Sequence, residues 1–443
     1  MKALTTISLL SQALCAAACL TEQELRNIHG GLPTLERRQD RRTNRTNANT
    51  IPIGTGDRFK NGTVAPRGIG SQTHVNFTTV YNSVEIKSAT LGLVNEFNLT
   101  YFELPHKTYE NRTMYGFRVP GKRGYQVFLE SGIHARERGG PDHMLNFVAD
   151  LLWAKREGKG LAYGGVTYTA ADVAKVTEFG IVVVPLVNPD GVAFDHTTHE
   201  CWRKNRDPAA VQKEEPEMSV GVDLNRNFEA VWDYHKLMAN ITDSFSVSDE
   251  PASQVYHGAA PLSEPEAKNI DWVFDQTPDV RWFVDLHSHA TQVLYGWGHD
   301  TNQVRDRNMN MLNHTYDGKR GAVPDDPDKG YVYGEYMEQM ELDKNMLVSG
   351  RVADGMLAAS GRSYTAQTSV GLYPTTGAVS DQLSYRSLFD KSKKDALGIT
   401  VEFGSPNRQA LCDFYPTIQG HRLNMFDVGA GMMEFLLAAA RFS

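Results

Sequence analysis

The chain has 443 residues, 41% of them hydrophobic and 22% charged, with a formal net charge of -8. That composition suits one large core or two medium ones. The acidic balance, with a sequence pI of about 6.0, argues against a polyanionic ligand and so against nucleic acid as a partner.

The first twenty residues read as a secretory signal. Lys2 precedes an apolar run through Leu20 that contains the small-residue patch Ala16-Ala17-Ala18. The run is too short for a membrane span. The apolar stretch from Met425 to Phe442 is broken by Asp427, Glu434 and Arg441, and reads as a final packed helix. The expectation is a secreted, extracellular protein with no membrane span. Sequons at Asn44, Asn61, Asn76, Asn98, Asn111, Asn240 and Asn313 agree with export. Outside the signal, Cys201 and Cys412 remain, either as one disulfide or as two buried thiols. Residues 21–72 are rich in Arg, Asn, Thr and Gly and carry the dibasic pairs Arg37-Arg38 and Arg41-Arg42. They read as a short leader or propeptide without packed structure, so that residues 73–443 form the one folded domain.

Within that domain, Val84 to Phe97 suggests a helix and Met114 to Val119 a strand. Gln126 to Leu129 is a second strand and delivers His134. Met144, Leu145, Val148, Leu151 and Leu152 mark one face of a helix from about Asp142 to Arg156. Ile181 to Val187 is a continuous apolar run, as in strands buried on both faces, and ends in the turn Asn188-Pro189-Asp190-Gly191. Trp282 to Leu286 runs directly into His287, and Ile399 to Phe403 encloses Glu402. Buried strands alternating with amphipathic helices predict an α/β sheet covered on both faces. In such a fold the chemistry gathers beyond the carboxyl ends of the strands, where His134, Asn188, His287 and Glu402 stand. Asp300 to Ser360, with its VPDDPDKG loop, reads as a surface elaboration.

The chemistry follows from residue types. His134 and Glu137 sit three apart in GIHARE, and His287 and His289 share VDLHSHA. Two histidines and one glutamate give zinc three ligands and leave a fourth position for water, the arrangement of a catalytic site. Such a site needs a general base and a cation for the developing oxyanion. Glu402, in GITVEFG, is the candidate base. Arg203 in CWRKNR and Arg226 in GVDLNRNF are the candidate cations.

Together these motifs resemble the zinc carboxypeptidases of the carboxypeptidase A/B type, in that family's order, from about His74 to the C-terminus. GIHARE is similar to the zinc-binding turn, VNPDGVAFDHTTHECWRKNR to the segment carrying an oxyanion arginine, and GVDLNRNF to the terminal-carboxylate clamp. YHGAAPLSEPEA resembles a loop-to-helix signature, DLHSH the third-ligand strand, LYPTTGAVSD the mobile tyrosine loop, and TVEF the catalytic glutamate strand. The resemblance implies a mixed, largely parallel sheet, one zinc ion, peptide or protein C-termini as substrates, and a monomer. It implies His134, Glu137 and His287 as ligands, Glu402 as base and later acid, and Arg203 as oxyanion partner. Asn225 and Arg226 would grip the terminal carboxylate, Tyr373 would close over it, and Arg136 would bind upstream residues. Ser380 falls at the floor of the specificity pocket, with Asp381 beside it; with Thr400 nearby it suggests apolar or broad specificity. His289 departs from the tyrosine common at its place, the stretch from His287 to Tyr373 is long, and the leader is too short for the family's globular pro-domain. Two other readings stand beside this one: a non-catalytic binding or cell-wall-associated relative, and a hydrolase of non-peptide amides bearing a free carboxylate.

Overall fold

The computed structural model describes residues 45–72, 77–213, 215–240 and 246–442. The signal segment, the leader through residue 44 with its dibasic pairs, and the sequons at Asn44 and Asn76 lie outside the described residues.

An eight-stranded sheet organises the chain. Its strands are β1 (Thr100–Lys107), β2 (Thr113–Val119), β3 (Tyr125–Ser131), β4 (Gly180–Val184), β5 (Trp282–Ser288), β6 (Gln292–Tyr295), β7 (Thr365–Thr368) and β8 (Leu397–Phe403). The spatial order is β1-β2-β4-β3-β5-β8-β6-β7. The central block β4-β3-β5-β8 is parallel throughout. Antiparallel pairings join β2 to β1 and β4, and β8 to β6. The sheet is therefore mixed and largely parallel, as expected.

Side-chain alternation sorts the core into two layers. Val127, Leu129, Ile181, Val183, Val284, Ile399 and Val401 point to one face. That face is covered by α1 (Ser83–Phe97), α2 (Gly140–Glu157), α5 (Gln339–Ser360) and α7 (Ile418–Ala439). Phe128, Val182, Val184 and Phe283 point to the other, under α4 (Pro265–Gln276) and α6 (Val379–Phe389). A further helix, α3 (Pro189–Thr198), follows β4. Asn188 caps it, its side chain accepting from Gly191 N at 2.9 Å and donating to Ile133 O and Lys204 O. The polar residue at that strand end thus ties two site-bearing loops together.

Two expectations change. Residues 45–72 are packed, so compact structure starts well before residue 73. Ile51 and Phe59 are buried, Ile51 N donates to Pro416 O at 2.7 Å, and Arg58 pairs with the buried Glu85 at 2.6 Å. The segment holds by isolated anchors and side-chain hydrogen bonds in turns, which leave no periodic signal. The Asp300 to Ser360 stretch is likewise more than surface: its last third is α5, whose Val348, Val352 and Met356 repeat at four-residue spacing into the core.

Behind the start of α2 lies a buried polar pair. His143 and His421 stand ring to ring at 4.8 Å, and none of their four ring nitrogens has a hydrogen-bond partner among the described residues. Gly139, at φ +103°, permits this, since a Cβ there would sit 2.9 Å from His143 Nε2 and 3.0 Å from His421 Nδ1. Burial pushes His421 down to about 3 and His143 well below its ordinary value. It pushes the adjoining Asp142 up to about 8. Around pH 5 the unfolded chain therefore binds two protons on these groups where the native chain holds one, so stability falls as pH drops below about 6.5. His421→Leu should make the fall in Tm between about pH 7 and pH 5 shallower than in the wild type. An unchanged slope would show that this pair does not govern the acid limb.

Candidate active site

The site is built from the carboxyl ends of β3, β5 and β8 and from two loops clamped over them. β3 ends at Ser131, whose hydroxyl donates to Pro185 O at 2.6 Å, and the chain turns through Gly132 at φ +70°. That turn carries His134 and Glu137; β5 carries His287. Among the described residues these three form the one group of donors converging tightly enough for a metal, with ligand atoms all within 4.8 Å of one another. His134 Nδ1 lies 2.7 Å from Glu137 Oε1, and His287 Nδ1 lies 3.0 Å from Glu137 Oε2. All three side chains are buried.

Outward of the cluster, each imidazole is fixed by a carboxylate. His134 Nε2 meets Asp223 Oδ1 at 3.0 Å, and His287 Nε2 meets Asp285 Oδ2 at 2.6 Å. A carboxylate on Nε2 favours the proton there and leaves the Nδ1 lone pair turned inward. Sequence reasoning passed over both aspartates. Asp285 had a signal, standing two residues before His287 and so on the same strand face; Asp223 lies in GVDLNRNF two residues before Asn225.

The electrostatics agree with a cation site. Burial, with the nearby Arg203 cation, holds His134 below its ordinary value. Burial opposes ionisation of Glu137, but His134 and His287 outweigh it and hold the carboxyl well below its usual range. Arg203, Arg226 and His134 do the same for Asp223 against its own burial. A His134 held below its ordinary value and an ionised Glu137 are states in which metal binding is favoured. Two histidines and one carboxylate, all buried and convergent, fit zinc.

The other residues singled out from the sequence fall around this cluster. Arg203 is fully buried. Its Nε and Nη2 lie 3.1 and 2.8 Å from Asp223 Oδ2, its Nη1 lies 3.9 Å from Glu137 Oε1, and its carbonyl accepts from Ala135 N at 3.1 Å. Glu402 is fully buried on β8 and pairs in register with His287. Gly398 and Thr400 precede it at two-residue spacing, and Gly398 packs on Ser380, where a Cβ would come within 3.4 Å of Ser380 Cα. Arg226 donates from Nε to Ser246 O at 2.5 Å and from Nη1 to Asn225 O at 2.7 Å. Asn225 Oδ1 accepts from Val379 N at 3.0 Å, joining that loop to the start of α6. Arg226 Cζ stands 5.9 Å from the Tyr373 ring.

Arg136 and His289 both lean on Phe414, Arg136 Cζ at 4.3 Å and the His289 ring at 4.3 Å. His289 is not one of the three converging donors. Cys201 and Cys412 are disulfide-bonded, across 211 residues of sequence, and tie the Arg203 segment to the loop after β8. Of the sequons, Asn61, Asn98, Asn111 and Asn240 are exposed and Asn313 is half-buried.

Comparison with known proteins places this arrangement. A family profile described as zinc carboxypeptidase matches residues 98–419. Carboxypeptidase A1 of Homo sapiens is 30% identical over 203 residues, 45% of this chain and 42% of that protein. Carboxypeptidase B of Bos taurus is 31% identical over 196 residues, 44% of this chain and 41% of that protein. The chain thus spans about two fifths of the length of these curated relatives. Among solved structures, carboxypeptidase A from Helicoverpa armigera superposes with a TM-score of 0.57 at 20% identity, covering 82% of this chain and 74% of that one. Bovine thrombin-activatable fibrinolysis inhibitor, in complex with tick carboxypeptidase inhibitor, gives 0.58 at 17% identity, covering 82% and 99%. The latter likenesses are of fold. With the profile spanning most of the chain and the donor cluster inside it, the protein belongs to the zinc carboxypeptidase family.

Proposed function

We propose that the protein is a secreted zinc metallocarboxypeptidase that removes single residues from the C-termini of peptides or proteins. The observation that carries the reading is the buried His134–Glu137–His287 cluster, with both Nδ1 atoms turned inward and both Nε2 atoms anchored on carboxylates. One zinc ion held there would supply Lewis-acid polarisation and an acidified water.

The chain's own groups do the rest. Arg226, with Asn225, takes the substrate's terminal carboxylate, for which the planar guanidinium fork is suited. That contact selects a chain end over an internal bond. Tyr373 closes over the same site. Arg203, oriented by Asp223 beside Glu137, stabilises the developing oxyanion with a charge already fixed in place, so little reorganisation is needed during reaction. Glu402 takes the proton of the attacking water and returns it to the leaving amine. Arg136 receives upstream residues, and Ser380 floors the pocket for the departing side chain.

Export is supported by the exposed sequons at Asn61, Asn98, Asn111 and Asn240 and by the Cys201–Cys412 bond. No helix among the described residues is long and apolar enough to cross a membrane. We further propose that the signal ends near residue 20 and that the leader is cut at a dibasic pair, leaving the packed segment from Arg45 onward on the mature monomer.

The purified secreted chain, its N-terminus sequenced, should release one residue from blocked dipeptides, and ortho-phenanthroline should stop that release. No release from any dipeptide with zinc bound stoichiometrically would instead favour a binding relative or a non-peptide amide substrate.

A further inference from the structure

Beyond the candidate metal site, the segment that follows β6 carries a second buried charged cluster. After Tyr295 the chain runs through Gly296, Trp297 and Gly298 to His299, which is fully buried. His299 Nε2 lies 2.9 Å from Glu335 Oε2, and its Nδ1 lies 3.9 Å from Asp381 Oδ2. Glu335 is fixed in turn by the Tyr333 hydroxyl at 2.7 Å and by Met311 N at 3.1 Å. Asp381 accepts from Gly298 N at 3.0 Å, and Gly298 O accepts from Thr375 N in the tyrosine loop at 2.8 Å. A Cβ at Gly298 would sit 2.9 Å from Asp381 Oδ2, so any larger residue there would push that carboxylate aside. Asp381 directly follows Ser380, and Val379 before it donates to Asn225.

We propose that His299, wedged between Glu335 and Asp381, is a positioning residue for the pocket that receives the side chain of the departing C-terminal residue. The inference rests on the carboxypeptidase reading above. Two ionised carboxylates from different segments repel when buried side by side, and a cation between them relieves that repulsion. His299 supplies that cation, and so ties the 300–338 stretch to the first turn of α6 and to the backbone of the tyrosine loop. Burial opposes the charge, yet Asp381 and Glu335 together raise His299 to about 9. The other groups facing it keep that sign. Tyr333 and Tyr385 are pushed up by burial and stay neutral. Asp300, pushed up to about 6 chiefly by burial, adds a further carboxylate, and Arg320 lies beyond the Tyr333 ring at 5.1 Å.

The test uses the full secreted chain with zinc bound, as wild type, His299→Gln, Glu335→Gln and the double variant. Calorimetry measures affinity for the free products L-phenylalanine and L-alanine, and kinetics measures KM and kcat for blocked dipeptides ending in each. The large-to-small preference should shift roughly tenfold in either single variant, through KM, with kcat on the Ala-ending substrate unchanged. The double variant should be no worse than the worse single one. In the wild type alone the preference should also decay above about pH 9. Histidine-labelled NMR of the wild type should show one imidazolium persisting toward that pH, a reading that stands even where a variant fails to fold. An unchanged preference in both folded single variants, or a neutral His299 at neutral pH, would overturn the proposal. A wild type that binds neither amino acid and cleaves neither dipeptide would overturn the carboxypeptidase reading itself, and the inference with it.

Discussion

Replacing Glu402 by Gln should lower kcat on blocked dipeptides by about 10²–10⁴-fold while leaving KM and zinc content near their wild-type values. The amide keeps the size of the carboxylate and its place on β8 opposite His287, but it cannot take a proton at neutral pH. Because Glu402 is none of the three converging donors, the metal should stay. A second buried glutamate provides the control. Glu130 on β3 pairs in register with Asp285, and burial, then Asp285, pushes its carboxyl well above the usual range. It is held neutral, so Gln at that position mimics the species already present. Glu130→Gln should therefore leave kcat within about twofold, since neither size nor charge changes. Equal losses in the two variants would show that Gln damages the sheet rather than the chemistry. Full activity in Glu402→Gln would place the base elsewhere.

That contrast also shows what can be read from a sequence. His134, Glu137, His287 and Glu402 were legible because each interrupts an apolar strand or its exit, where folding alone gives a polar group no reason to stand. The same rule overshot at Asn188, which stands at a strand end to cap α3 and bridge two loops. Asp223 and Asp285 were missed as histidine anchors, since a carboxylate that acts through another residue has no spacing of its own to announce it. The long central strands β3, β5 and β8 were plain from their apolar runs. Strands β6 and β7, four residues each, are too short to show a period. Helix α5 was hidden by the Gly- and Asp-rich loop before it. Residues 45–72 were read as unpacked because their anchors, Ile51 and Phe59, are single residues between turns.

Arg203→Ala should cost about 10²–10³-fold in kcat and the same factor in kcat/KM, with KM little changed. The guanidinium is fully buried and already oriented by Asp223 through two of its nitrogens, so its charge is fixed before substrate arrives. An interaction made only as the oxyanion develops lowers both constants equally. The competing account is indirect: Asp223 also anchors His134, and losing Arg203 could loosen the metal by about 10–100-fold, as other outer-shell changes do. Asp223 would not be orphaned, since His134 Nε2 and Asn225 N remain 3.0 and 3.1 Å from its Oδ1. The two accounts part at saturating zinc. If the loss is electrostatic, added zinc restores the metal but not the rate, and free guanidinium, which can enter the space left by the side chain, restores part of kcat. If zinc alone recovers full activity, Arg203 serves the metal site and the oxyanion must be held by other groups.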